Sequence, residues 1–487
     1  MIECLYDAFM SAAGNTDNYI DYLVLKDFSY KTERKTFDDI YHDIINCCSN
    51  LKDFGVTADS VVAFEIENTY QCLICDSALI MLGAQAIISR KGDAPDVLDE
   101  RIGEFSATAV ISDRSSDRIS ALPHITIDEL MADNSDPRIP ERYVYSKDIS
   151  VMFSSGTTGT PKALGITEIG SVWSSNNFFR FMHFNSKDKF LIFMPLSNYQ
   201  QRFLFWGCLM NNVNISIGND MTLLQCLSNL EPSILLAPPN FFYNLYCQQK
   251  KSDSDVIKAT LGRNMRYLLT GMAPIDNEIL YFFSEYGNEI YQIYGQTEVG
   301  MLCCNTTVEN KIGTVGKPII EIELSEDGEL ITNSPHPIVS GYYENGKLID
   351  PMPRKRSTGD MGTMDDDGFV SIIGRINDTI ILSSGKKINP AMIENKIKNI
   401  CTDSEAAIFK TKDEKSFIIN IVIISESFEK IDTESVKGTI SRMGEIKSFT
   451  DPYKIVFMEM DKTVLSGLYT ENGKFSRKKA IDMLLSK

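Results

Sequence analysis

Helical and strand-like segments alternate along the first part of the chain, and this alternation constrains the fold more than any other feature. The spacing of apolar residues predicts an amphipathic helix over Thr36–Phe54, a strand over Ser60–Glu67 and a second helix over Tyr70–Gly83. Short strands are predicted again at Ala86–Ser89 and Ala109–Ser112. Strands that alternate with helices are typical of a mostly parallel sheet, so the predicted fold class is α/β.

The alternation resumes after Lys162 and then gives way to two other patterns. Its predicted strands are Phe190–Pro195, Asn214–Ile217 and Ser233–Pro238. Antiparallel strands between glycine turns are predicted over Gly328–Thr332 and Gly368–Ile373. The last strands, which polar helices separate, are predicted at Asp378–Leu382, Ala406–Lys410 and Phe417–Ile424. We expect a large N-terminal domain of mixed, mostly parallel sheets with helices, followed by a small α+β domain.

Length and charge indicate the same division. The chain has 487 residues, which is too many for one ordinary core. From Asp378 onward it has 18 basic and 16 acidic residues, whereas the part before Asp378 has 30 and 50. Such a change in charge balance favours a domain boundary nearby. The predicted domains are therefore 1–376 and 377–487.

Composition argues against several classes of function. The net charge of −18 argues against nucleic-acid binding, which needs a basic surface. The four histidines are scattered, which argues against a histidine metal site or a Ser/His/Asp triad. No segment predicts membrane insertion, and residues 1–10 lack the basic start of a secretory signal. We therefore expect a cytoplasmic protein with reduced thiols, in which Cys72 and Cys75 lie buried in a helix.

The most informative segment is Ser154–Lys162, which reads SSGTTGTPK. Its glycines and its proline favour an open, turned backbone, and its hydroxyls and amides offer hydrogen-bond donors. Lys162 adds a positive charge, so the loop can hold a polyphosphate. Neither a Walker A loop nor a GxGxxG dinucleotide motif occurs in the chain.

The segment SSGTTGTPK resembles the signature loop of the adenylate-forming superfamily. That superfamily includes acyl-CoA synthetases, the adenylation domains of peptide synthetases, and luciferases. Four further motifs follow in the superfamily's order. They are YGQTE at Tyr294–Glu298, TGD at Thr358–Asp360, GR at Gly374–Arg375 and NGK at Asn472–Lys474. The resemblance covers the chain from about Thr36 to Lys479.

The resemblance implies a site for ATP and Mg²⁺. It implies that Tyr294 packs on adenine, that Thr297 contacts the α-phosphate and that Glu298 holds Mg²⁺, which prefers carboxylate oxygens. The residues implied in nucleotide binding are Ser154, Ser155, Gly156, Thr157, Thr158, Gly159, Lys162, Tyr294, Gly295, Gln296, Thr297, Asp360, Arg375 and Lys474.

The same resemblance implies the ribose contacts and the catalytic groups. Asp360 would accept from both ribose hydroxyls, since a carboxylate has two oxygens, and Arg375 would reach the same sugar. Lys474 would be the lysine of the adenylation step. Thr158 and Glu298 would act with it as catalytic residues.

The resemblance also implies a C-terminal domain that moves between two half-reactions. Gly385 would line the tunnel for a thiol arm. Asp378 is the favoured hinge residue, although counting from Arg375 indicates Asn377 instead. The residues expected around the acyl substrate are Asn198, Phe241, Gly271, Met272 and Gly300.

The sequence departs from the superfamily pattern at several positions. Met392 stands in place of the first Glu of an E-I-E motif, and Ala163 in place of a Gly. Ser197 and Asn198 follow MPL, where many members have a histidine, and this departure puts the acyl acceptor in doubt. Of the polar residues that come next, Arg202 is expected to face solvent.

A short basic run, Pro353–Arg356, has two interpretations. It could meet the phosphates of CoA, but such a run is more often a solvated loop. We do not choose a role for it from the sequence.

The leading functional prediction is ATP-dependent activation of a small carboxylic acid as an acyl-adenylate, followed by acyl transfer to a thiol. The thiol would belong to CoA or to the phosphopantetheine of a separate carrier protein. Two alternatives stay open at this point. One is an acid–amine ligase, and the other is a nucleotide-binding regulator without catalytic activity.

Overall fold

The computed structural model describes residues 3–113, 119, 121–143, 145, 147–154, 162–252, 255–401, 404–412, 417–429, 431–469 and 475–486. Its helices are Leu5–Met10, Phe37–Asp53, Tyr70–Leu82, Pro95–Glu104, Ile127–Met131, Glu168–Phe181, Tyr199–Met210, Leu223–Leu230, Pro239–Lys250, Val256–Leu261, Asn277–Glu285, Pro390–Ile400, Thr433–Arg442, Gly444–Lys447, Lys462–Gly467 and Arg477–Leu485. A 3₁₀ turn spans Ile376–Asp378. None of the helices in the described ranges is long and apolar enough to span a bilayer.

Twenty-six strands are found in the described part of the chain. They are β1 Tyr19–Lys26, β2 Ser29–Thr36, β3 Val61–Ile66, β4 Gln85–Arg90, β5 Ala109–Ile111, β6 His124–Ile125, β7 Ser150–Ser154, β8 Lys162–Ile166, β9 Lys189–Ile192, β10 Asn214–Ile217, β11 Ile234–Ala237, β12 Tyr267–Thr270, β13 Ile290–Gln296, β14 Gly300–Cys304, β15 Lys317–Pro318, β16 Glu321–Leu324, β17 Glu329–Asn333, β18 Val339–Glu344, β19 Lys347–Pro351, β20 Lys355–Met364, β21 Val370–Arg375, β22 Ile380–Ile381, β23 Lys387–Ile388, β24 Glu405–Lys412, β25 Phe417–Ser425 and β26 Tyr453–Glu459.

Two large mixed sheets build most of the N-terminal part. The first has the order β15-β14-β13-β12-β11-β9-β10-β1-β2, in which the inner strands run parallel. The second has the order β19-β18-β8-β7-β4-β3-β5-β6 and is parallel from β7 to β6. Apolar residues of both sheets and of the helices on them share one buried cluster. The parallel pairing predicted from the alternation of helices and strands is therefore present.

Local signals in the sequence set the ends of the first long helices. Thr36 caps the helix Phe37–Asp53 and forms a capping box with Asp39, which satisfies the amide groups at the helix start. Thr69 caps the helix Tyr70–Leu82, and Gly83 ends it with φ +78°, a left-handed conformation that favours glycine. Cys72 and Cys75 lie buried in that helix, as expected.

The rest of the chain forms smaller sheets. β16, β17, β20 and β21 make an antiparallel sheet, and β22 pairs with β23. β24, β25 and β26 make a three-stranded sheet with its own apolar clusters, which are separate from the large one. This arrangement agrees with a small α+β unit at the C-terminal end. The boundary at 377 and the mobility of that unit stay predictions.

Some predicted strands are shorter in the structure. β9 ends at Ile192, because the chain turns away before Pro195. Asp378 belongs to the 3₁₀ turn, so β22 begins at Ile380 rather than at Asp378. Asn214–Ile217 is a strand with the predicted bounds.

Candidate active site

The carboxyl ends of neighbouring parallel strands converge on one edge of the nine-stranded sheet. Asn198 follows β9, Phe241 follows β11, and Gly271 and Met272 follow β12. Gly300 opens β14, which returns antiparallel along β13. Ligands of open α/β sheets bind outside the carboxyl ends of the strands. The sheet therefore gathers the segments predicted to form the acyl pocket.

The pocket residues differ in how they are held. Phe241 is half-buried, and its ring meets Phe242 edge-on at a centroid distance of 5.3 Å. Met272 is exposed and has a φ of +69°. Gly300 has a φ of +98°, and a Cβ there would overlap Ser174 and Ile338. A side chain at position 300 is therefore excluded by both the backbone and its neighbours.

A buried carboxylate, that of Asp360, lies at the centre of the candidate nucleotide site. Tyr294 donates its hydroxyl proton to Oδ2 of Asp360, and Gln296 Nε2 donates to the same oxygen at 2.9 Å. Arg375 Nε contacts Oδ1 at 2.8 Å. The Asp360 side chain is 7% exposed, whereas that of Arg375 is 57% exposed. The pair therefore has a fixed inner member and an accessible outer one.

Strand pairing produces this cluster from three distant motifs. Asp360 on β20 lies directly opposite Arg375 on β21. Tyr294 and Gln296 project from β13, and Gln296 Nε2 also donates to the Thr358 carbonyl at 2.8 Å. The pKa of Tyr294 is raised mainly by burial and secondly by the nearby Asp360 carboxylate, so the hydroxyl stays protonated and acts as a donor. The motifs YGQTE, TGD and GR thus meet in space.

The residues present fit a nucleotide. Asp360 offers two carboxylate oxygens, each with further acceptor capacity. Gln296 Oε1 is buried and accepts no hydrogen bond from the described residues. Ribose hydroxyls and an adenine amino group are donors that suit these acceptors. Thr297, which follows β13, is exposed next to them.

A second cluster surrounds Glu298. Tyr342 donates its hydroxyl to Glu298 Oε1 at 3.1 Å, and Arg356 Nη2 lies 3.9 Å from the same oxygen. Lys162 Nζ lies 5.0 Å from the centre of the Tyr342 ring. β8 and β18 are paired antiparallel with Tyr342 opposite Leu164, which brings the end of the glycine-rich segment to the YGQTE motif.

The Glu298 cluster suits Mg²⁺ that arrives with phosphate. No group of three or more metal-ligating side chains occurs in the described ranges. Mg²⁺ is commonly bound by one or two carboxylates together with substrate phosphates and water. Glu298 is partly exposed and retains acceptor capacity, so it can serve as such a carboxylate.

The C-terminal part contributes a chain of ion pairs. Arg477 Nε contacts the buried Glu394 at 2.8 Å, and Arg477 Nη1 lies 3.3 Å from Asp378. Burial raises the pKa of Glu394 to about 7, against the opposing effect of Arg477. Gly385 lies in the exposed turn between β22 and β23 with a φ of +83°.

Several predicted residues lie outside the described ranges. These are Ser155, Gly156, Thr157, Thr158 and Gly159 of the loop, together with Lys474. Their roles stay predictions.

Arg202 was expected to face solvent, and the structure corrects this. Its guanidinium is fully buried and makes a bidentate ion pair with Asp76, at 2.6 and 2.9 Å. Ser150 Oγ accepts a further hydrogen bond from it at 2.9 Å. Asp76 lies far away in sequence, so no local pattern could have indicated this burial.

Arg356 lies in the cluster around Glu298, although the sequence indicated no particular role for it. The basic run 353–356 was read as a CoA contact or a solvated loop, and its members behave differently. Arg354 and Lys355 are exposed, whereas the side chain of Arg356 is 17% exposed beside Glu298. Strand alternation was the available signal, because Arg356, Thr358 and Asp360 share one face of β20.

Comparisons with known proteins agree with the fold. The long-chain-fatty-acid–CoA ligase FadD15 of Mycobacterium bovis is 24% identical over 460 residues, which cover 84% of this chain and 72% of that protein. The 2-succinylbenzoate–CoA ligase of Listeria monocytogenes is 22% identical over 457 residues, which cover 91% of this chain and 94% of the relative. The ATP-bound structure of MatB from Rhodopseudomonas palustris superimposes with a TM-score of 0.81 at 18% identity and covers 99% of both chains.

A mostly parallel sheet with candidate nucleotide-binding residues beside its carboxyl edge is typical of nucleotide-binding α/β proteins. The sequence profile described as AMP-binding enzyme matches residues 13–343, about two thirds of the chain. The chain belongs to the AMP-binding enzyme family. The predicted superfamily and the α/β fold class are thereby confirmed.

Replacing Asp360 by asparagine is expected to weaken AMP binding about thirtyfold. One acceptor oxygen would then have to serve Tyr294, Gln296 and the ribose, at a cost of about 2 kcal/mol for a lost charge-assisted hydrogen bond. Titration calorimetry with AMP measures the change. The exposed Asp366 provides a matched control, since Asp366→Asn makes the same chemical change outside the site. Equal AMP affinity of D360N and wild type would contradict the ribose assignment.

Proposed function

We propose that this enzyme activates a carboxylic acid with ATP as an acyl-adenylate and transfers the acyl group to the thiol of CoA. The observation that carries the proposal is the convergence of Tyr294, Asp360 and Arg375 next to the Glu298 cluster. Relatives named as CoA ligases match most of the chain, which supports CoA as the acceptor.

In the first half-reaction, a carboxylate oxygen of the acid attacks the α-phosphorus of ATP. A phosphorus–oxygen bond forms, the bond to pyrophosphate breaks, and pyrophosphate leaves. Both reactants are anions, so positive charge must lie where they meet. Lys162 and Lys474 supply it, and Mg²⁺ held by Glu298 neutralises phosphate charge when it is bound. The acid is already ionised and needs no base.

The nucleotide contacts contribute mainly by positioning. Asp360 and Arg375 hold the ribose, while Tyr294 lies against adenine. A nucleotide fixed in this way presents its α-phosphate to the segments that follow β9, β11 and β12, where the acid binds. Holding two reactants in line removes much of the entropic barrier to their reaction.

In the second half-reaction, the thiolate of CoA attacks the acyl carbonyl. A carbon–sulfur bond forms, the bond to the phosphate oxygen breaks, and AMP leaves. Gly385 would line the path of the thiol arm, and its lack of a side chain leaves room for a thin arm beside the turn between β22 and β23. Asp378, in the 3₁₀ turn and paired with Arg477, is the hinge about which the C-terminal part turns.

Replacing Gly385 by tryptophan is expected to abolish thioester formation and leave adenylation intact, because the ring would fill the space for the thiol arm. Gly385→Asn is the control, since Asn tolerates a positive φ and has a small side chain. Pyrophosphate exchange measures adenylation, and CoA-dependent AMP release measures transfer. Full transfer activity of G385W would remove Gly385 from the thiol path.

The proposal is tested by incubating the protein with ATP, Mg²⁺, CoA and a panel of aliphatic, aromatic and amino acids. Mass spectrometry should detect an acyl-CoA and one AMP for each acyl group transferred. Parallel reactions replace CoA by a phosphopantetheinylated carrier protein or by amines. A product only with an amine would favour an acid–amine ligase, and ATP binding without a product would favour a regulator.

A further inference from the structure

Arg356 lies on β20, the same strand as Asp360. Its side chain lies beside Glu298, the carboxylate proposed to hold Mg²⁺. Arg356, Thr358 and Asp360 share one face of β20, with Lys355 and Ser357 exposed on the other. Asp360 and Arg356 are four positions apart on β20, and a bulge at Gly359, which has a φ of +74°, shortens the strand between them. Glu298 lies beside Arg356. The order along this face is therefore the ribose carboxylate, then the cluster around Glu298 and Arg356.

The guanidinium of Arg356 is largely enclosed, and one of its N–H groups faces the Tyr342 hydroxyl. Its Nη1 contacts Met352 Sδ at 3.0 Å, and its Nε donates to the Ser357 carbonyl at 3.4 Å. The nearest described carboxylate, Glu298, lies at 3.9 Å, which is long for a hydrogen-bonded ion pair. A guanidinium has five N–H donors arranged to match carboxylate or phosphate oxygens. Arg356 thus retains donors for an incoming anion.

We infer that Arg356 binds the β- and γ-phosphates of ATP and holds pyrophosphate as it leaves. This inference rests on the proposed function, since it takes Asp360 as the ribose contact. A nucleotide whose ribose lies at Asp360 directs its phosphates along β20, past Glu298 and toward Arg356. The planar guanidinium suits two oxygens of one phosphate group. AMP has no phosphate beyond the α-position, so it does not reach Arg356.

Nucleotide binding without acid or CoA tests the inference directly. Arg356→Gln should raise the dissociation constant for ATP with Mg²⁺ by about tenfold to a hundredfold, while the dissociation constant for AMP changes by less than about twofold. Lys355→Gln is the matched control, because it removes the same charge from the neighbouring residue, which is exposed and paired with Glu323. Its ATP and AMP affinities should equal those of wild type. Arg356→Lys, which keeps the charge without the planar fork, should weaken ATP binding by a smaller factor and provides a second test if R356Q does not fold.

Three results would overturn the assignment: unchanged ATP affinity in R356Q, an equal loss for ATP and AMP, or an equal loss of ATP affinity in K355Q. Failure of the proposed function has a different signature. Wild-type protein would then bind ATP but give no pyrophosphate exchange with any acid, while the ATP-to-AMP comparison would still decide the role of Arg356.

Discussion

Replacing Arg202 by alanine is expected to lower the free energy of unfolding by about 3–5 kcal/mol. Arg202 and Asp76 are both buried, and their bidentate pair crosses from the helix Tyr199–Met210 to the helix Tyr70–Leu82. Removing the guanidinium leaves the Asp76 carboxylate buried and uncompensated, and Ser150 loses its partner. The loss of stability comes mainly from leaving the Asp76 carboxylate buried without a partner, and less from the lost attraction between the two charges.

Urea unfolding followed by tryptophan fluorescence measures this change. The two tryptophans, Trp173 and Trp206, both belong to the N-terminal part, so the signal reports the region that contains the pair. A double variant, D76L with R202M, is the matched control, because apolar residues that replace both charges should restore most of the lost stability. A loss of less than about 1 kcal/mol in R202A would contradict a buried, uncompensated carboxylate.

Replacing Lys474 by alanine is expected to slow adenylation by about a hundredfold or more. Removal of one group that stabilises developing charge costs about 3–4 kcal/mol in the barrier. The second half-reaction should be spared, because the assigned role of Lys474 ends when pyrophosphate has left. Pyrophosphate exchange measures the first step, and thioester formation from a supplied acyl-adenylate measures the second.

Lys478→Ala is the control for this variant. Lys478 is exposed on the helix Arg477–Leu485 and lies four residues beyond Lys474, so it tests the loss of a lysine in the same segment. Its exchange rate should equal that of wild type. Near-normal exchange by K474A, or equal losses in both variants, would remove Lys474 from the catalytic assignment.

Local structure and the outline of the site follow from the sequence for identifiable reasons. Two helices begin directly after Thr36 and Thr69. Each of these side chains caps amide groups that lie only a few residues away, so the local sequence encodes where the helix begins. The resemblance implies that Tyr294 and Asp360 belong to one nucleotide site, whereas the hydrogen bond between them is seen only in the structure. The pairing of β20 with β21 then places Asp360 opposite Arg375.

The features that sequence reasoning missed depend on contacts between distant segments. Arg202 and Asp76 are 126 residues apart, and nothing near either of them indicates the other. To predict that Arg356 is partly buried, one must know which face of β20 turns inward. Its basic neighbours suggested a solvated loop instead. In both cases the surroundings of the charge are created by tertiary packing, which brings Asp76 to Arg202 and Glu298 near Arg356.

The central claim, acid activation by adenylation, is tested most directly by ATP–pyrophosphate exchange measured with each acid of the panel. The account predicts exchange that depends on one class of acid, requires ATP and falls strongly in the K474A variant. Wild-type protein that binds ATP and yet gives no exchange with any acid, or exchange that proceeds without added acid, would contradict it.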